Sequence, residues 1–110
     1  KKPLAPGMLA KHYAPKTPTI LTEEISPNIL NNYKEKKIGL LFFKKANCKD
    51  SAYSIEILSK KAHLVEAAKN LYAAMHRLDK LKLDVIIIEK LPNKGLGKSI
   101  NDRLERASKK

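Results

Sequence analysis

The chain has 110 residues, room for one domain around a single core, and 23 Lys and Arg against 11 Asp and Glu give it a formal charge of +12. That field attracts nucleic acid, nucleotides or acidic partners, but the lysines are scattered in pairs and only three basic residues are arginines, so charge alone does not define a nucleic-acid reader. The single cysteine, Cys48, excludes an internal disulfide framework and a cysteine zinc cluster, and no apolar run has membrane-spanning length, which together lead us to expect a cytoplasmic protein with no membrane contact.

Residues 1–18 carry Pro3, Pro6, Pro15 and Pro18, a density that forbids helix interior and central strand and stiffens the backbone. They read as an extended Pro-rich linker ahead of a domain at 19–110, and as the continuation of something larger. Thr19 to Thr22 is a short strand candidate. Ser26-Pro27-Asn28 can cap and open a helix reaching about Lys36, with Pro27 at its tolerated first position. The apolar run Ile38 to Phe43 suits a strand buried on both faces, and Tyr53 to Leu58 reads as another strand.

Leu64, Ala68, Leu71, Met75 and Leu78 then fall on one helical stripe within a helix predicted over about Ala62 to Leu83. Val85-Ile86-Ile87-Ile88 is a further buried strand. After a loop over 90–97, a last helix is predicted from about Lys98 to Ser108. Continuous apolar strands alternating with amphipathic helices imply an α/β fold: a small Rossmann-like three-layer domain with a mainly parallel sheet.

The stretch Pro92 to Ser99, PNKGLGKS, stands between strand and helix where a phosphate-binding loop belongs. Pro92 occupies the position that needs the first glycine, and no later strand supplies a magnesium-binding Asp, so a glycine-rich turn is the better reading. His63 and His76 are too far apart on one helix for a common metal ion. Cys48 reads as a surface thiol. Glu89 ends a strand, where α/β sheets place functional groups, and is equally suited to pairing with a neighbouring lysine. No spacing argues for a catalytic set or a metal site in this chain.

The front and back ends carry a resemblance. Ala5-Pro6-Gly7-Met8 with His12-Tyr13-Ala14-Pro15 resembles the linker of the two-domain threonylcarbamoyl-adenylate synthases, which runs roughly S-P-G-M-K-Y-R-H-Y-A-P. DVIIIEKLPNKGLGKSINDRLERASK and NLYAAMHRLDKL are similar to that family's C-terminal domain, so the likeness spans essentially the whole chain. It implies an N-terminal YrdC-like catalytic domain in the same protein. It also implies formation of threonylcarbamoyl-AMP and pyrophosphate from L-threonine, bicarbonate and ATP, with Mg as the ion of the full enzyme. The product serves tRNA threonylcarbamoyladenosine modification.

By the same resemblance, the linker covers the catalytic pocket, and Lys11, His12 and Tyr13 contact ATP or pyrophosphate. His12 and Tyr13 match the family pattern directly. Leu9 and Ala10 stand where it has Lys and Tyr, and Lys11 replaces an arginine with a point charge. The fragment alone is then a regulatory, lid-bearing domain of a nucleotidyltransferase and not a catalyst, with no cofactor of its own. Three alternatives stay open: His12 and Tyr13 simply pack the linker onto the domain, the basic chain is a tRNA- or RNA-docking module without enzymatic role, or it is a free-standing nucleotide-binding protein using Gly95 to Ser99.

Overall fold

Four short segments with strand-forming, largely apolar sequences hydrogen-bond side by side in the computed structural model, which describes residues 15–47 and 52–108. They are β1 (Thr19–Thr22), β2 (Ile38–Phe42), β3 (Ala52–Ile57) and β4 (Val85–Glu89). Their order across the sheet is β1-β4-β2-β3, and every pairing is parallel. The two runs that read as buried on both faces, β2 and β4, are the central strands, as their sequences require.

Parallel neighbours need long crossovers. The first runs from β1 through the short helix α1 (Pro27–Asn31) to β2, two positions away across β4. Ser26 caps α1 by accepting the Ile29 N–H, and Pro27 occupies its first turn. The second crossover runs the other way, from edge strand β3 through α2 (Leu64–Asp79) to β4, passing over β2. Opposite directions of travel with one crossover hand put α1 and α2 on opposite faces.

The two cores confirm that placement. On one side Leu41, Ile86 and Ile88 meet Leu71, Met75 and Leu78 of α2 and Ile100 and Leu104 of α3 (Leu96–Ser108). On the other, Ile38, Leu40, Phe42, Val85 and Ile87 are covered by Ile25 and Leu30 around α1. The layers are unequal, two long helices against five helical residues.

Several predicted boundaries move. The helix expected through Lys36 ends at Asn31, and Glu35 turns the chain back at φ 68°. The helix expected over about 62–83 is four residues shorter at its end: Lys80 caps it, and Lys82 reverses direction at φ 57°. Leu83 is thereby folded under α2 onto Gly39, where an added Cβ would lie 2.5 Å from Leu83 Cδ1. At the start of α2, Ser59 Oγ accepts the His63 N–H at 2.9 Å and donates to Glu66 at 2.5 Å. Arg77 of α2 donates twice to Glu56 of β3, both at 2.8 Å. That hydrogen bonding, and then the Glu56 charge, raises the guanidinium above its ordinary value.

Candidate functional site

Lys11, His12 and Tyr13 lie outside the described residues. What the structure does describe is how the chain arrives from them. Pro15 is sealed from solvent, and Thr17 and Thr19 are buried. The Asp79 carboxylate, in the last turn of α2, accepts the Lys16 N–H at 3.1 Å, the Thr17 N–H at 3.0 Å and the Thr17 hydroxyl at 2.7 Å. A carboxylate at a helix C-terminus faces the unfavourable end of the helix dipole, and these three donors offset that. The Thr17 carbonyl accepts the Thr19 hydroxyl, and the Pro18 carbonyl accepts the Ile86 N–H, so the segment runs into β1 without slack. All of this sits at the edge of the sheet where the strands begin.

The glycine-rich turn at 92–99 is occupied with itself. Gly97 N–H donates to Lys94 O, and the Lys98 and Ser99 N–H groups donate to Gly95 O, so three of the amides a phosphate cradle would use are spent on the turn and the first coil of α3. Gly97 lets that coil press against Pro92: a Cβ there would stand 1.9 Å from the Pro92 carbonyl oxygen. Lys98 reaches Asp102 one turn along, at 3.6 Å. The rejection of a phosphate-binding loop stands on this geometry as well as on Pro92.

At the opposite edge, where the strands end, there is a cleft of about 560 Å³. The chain leaves β1 toward the α1 face and leaves β4 toward the α3 face, and that divergence opens the sheet between them. Glu89 reaches into this region from the end of β4 and accepts the Phe43 N–H on Oε1 at 2.9 Å. Lys44 and Lys45 line one wall, and neither makes an ion pair with another described residue. Lys90 is tied to Glu23 at 3.2 Å. Behind them Asn101 clamps Leu91, accepting its N–H at 2.9 Å and donating to its carbonyl at 2.8 Å, which fixes α3 against the strand end.

Glu89 was marked by its place at a strand end, whereas Lys44, Lys45 and Asn101 carried no local signal. Their convergence comes from the strand order. Asp79 had a signal that composition does not weigh: an acid in the last turn of a helix demands nearby donors. His63 starts α2 through its backbone, and His76 stacks edge-on with Tyr72 at 4.3 Å between ring centres. Cys48 lies outside the described residues. Among the described residues no group of three His, Cys, Asp or Glu side chains is placed to hold a metal ion, and no helix is long and apolar enough to cross a membrane.

The sequence pattern of the family described as "Threonylcarbamoyl-AMP synthase, C-terminal domain" matches residues 1–109. The chain is 32% identical over 113 aligned residues to the threonylcarbamoyl-AMP synthase of Bacillus subtilis (strain 168), with 98% of this chain and 33% of that protein covered. It is 29% identical to that of Pyrococcus abyssi (strain GE5 / Orsay), over 94% of this chain and 32% of the relative.

Two solved structures of P. abyssi Sua5 share the fold. One, in complex with L-threonine, superposes with a TM-score of 0.66 at 28% identity, over 88% of this chain and 29% of the other. The second, a variant with a neighbouring His and Tyr replaced by Ala, gives 0.65 at 27% identity, over 86% and 28%. The chain thus spans about a third of the length of the curated relatives it matches. An α/β domain with an all-parallel four-stranded sheet, matched along its length to the final third of these proteins, belongs to the threonylcarbamoyl-AMP synthase family as its C-terminal domain.

Proposed function

We propose that this domain serves an L-threonylcarbamoyladenylate synthase, the enzyme that converts L-threonine, bicarbonate and ATP to threonylcarbamoyl-AMP and pyrophosphate for tRNA modification in the cytoplasm. In this reading, catalysis belongs to an N-terminal domain beyond the third that the chain spans, and Mg accompanies ATP there as part of the substrate. This domain's contribution is the linker, whose Lys11, His12 and Tyr13 meet the triphosphate or the departing pyrophosphate. The ammonium offsets phosphate charge, and the imidazole and phenol hydrogen-bond to its oxygens. A segment seated over the pocket also keeps water from a labile acyl-adenylate.

The observation that carries the reading is the match over residues 1–109 to a domain that makes up only a third of its relatives. The Asp79 clamp supports it, because presenting three side chains to another domain needs a fixed point of departure, and Pro15 to Thr17 supply one. The solved P. abyssi variant lacking a His–Tyr pair lends further support, since His12-Tyr13 is such a pair.

The test is pyrophosphate release from ATP with threonine and bicarbonate, by this chain alone and by the chain joined to a family catalytic domain. We expect no turnover by the chain alone. In the joined protein, replacing His12 and Tyr13 by Ala should lower kcat/KM by at least about tenfold, the effect of losing one hydrogen bond to a charged group. Turnover by the 110 residues alone, or full activity of that double variant, sinks the proposal.

A further inference from the structure

The cleft where the strands end is not used by that reading. We propose that it binds a phosphate monoester carrying neighbouring hydroxyls, and that a nucleoside 5′-monophosphate is the ligand its size fits. Its volume of about 560 Å³ lies within the range of small-molecule sites, well above what a bare anion fills. It also lies where open α/β sheets hold ligands, outside the carboxyl ends of strands whose connections part to opposite faces.

Charge chooses the chemistry. Lys90 is held by Glu23, and Lys98 by Asp102, so two of the cleft's cations are already answered within the chain. Lys44 and Lys45 make no ion pair with another described residue. Their two positive charges match the roughly −1.5 to −2 of a phosphate monoester at neutral pH. The Lys94, Gly97, Lys98 and Ser99 amides are spent internally, and the phosphate is assigned to the lysine side chains. Glu89 supplies the second half of the recognition. Its Oε1 is engaged by Phe43 N–H, which orients the carboxylate, and Oε2 has no protein partner among the described residues. The carboxylate of half-buried Glu89, lining the cleft, is an acceptor for sugar hydroxyls, the role that acids after a strand play toward ribose. Phe43, Leu91 and Pro92 supply the apolar lining a flat base needs.

The experiment titrates the isotope-labelled chain with AMP, ribose 5-phosphate, adenosine and inorganic phosphate, reading amide shifts. It contains no threonine, bicarbonate or catalytic domain, so its outcome is independent of the synthase reading. AMP should saturate shifts at Phe43 to Lys45 and at Glu89 to Leu91. The double variant Lys44→Ala, Lys45→Ala, altered only at exposed positions, should weaken AMP by about tenfold or more. Glu89→Gln should weaken AMP and ribose 5-phosphate alike while leaving the response to inorganic phosphate unchanged. Absence of saturable shifts with AMP, or AMP affinity unaltered in the lysine variant, overturns the site. Adenosine or ribose 5-phosphate binding as tightly as AMP overturns the nucleoside monophosphate as its ligand.

Discussion

Asp79 gathers three hydrogen bonds from a segment more than sixty positions away in the chain, and its removal leaves buried donors on Thr17 unanswered. Asp79→Ala should therefore destabilise the domain by about 1–3 kcal/mol, read as a lower urea midpoint at unchanged slope. Asn101→Ala strips both Leu91 backbone groups of their partners and should cost a similar ~1–3 kcal/mol. Gly97→Ala is harsher, because the clash at 1.9 Å is with backbone and no side chain can swing clear. Its thermal midpoint should fall further than that of either polar variant. Arg77→Ala is the contrasting case: its side chain is 59% exposed and solvent screens the pair with Glu56, so the loss should stay below ~1 kcal/mol.

At the scale of the element, the strands were the most legible part of the chain. Apolar runs at 38–43 and 85–88 have no way to be satisfied except between two covered faces, and both became central strands. The stripe from Leu64 to Leu78 likewise fixed which side of α2 would face inward. Helix ends were harder to read, because Glu35, Ala62 and Lys82 adopt positive φ at 68°, 63° and 57° without being glycine. Nothing local distinguishes such residues from helical ones; at Lys82 the reversal accompanies the packing of Leu83 beneath α2. The cleft was the least legible feature. Lys44, Glu89 and Asn101 belong to three separate segments, and only the order β1-β4-β2-β3 makes them neighbours.

Over the whole molecule, a charge of +12 is spread without one dominant basic face; even the cleft carries Glu23, Glu89, Asp102 and Glu105 beside its lysines, with only Lys90 and Lys98 in ion pairs among the described residues. Attachment to tRNA through scattered lysines is counterion release with little geometric selection. We expect weak retention of tRNA at low salt that falls steeply as salt rises, measured by filter binding. Tight retention at high salt would instead favour the docking-module reading of the chain. The sheet also gives the domain a direction. The incoming segment is fastened where strands begin, and the cleft opens where they end, about 15 Å away along five residues of β4. The clamp around Asp79 and the lining of the cleft therefore share no side chain. Whatever passes between them has to be carried by the central strands as a unit, so Asp79→Ala should leave the AMP affinity of the cleft unchanged wherever the domain stays folded.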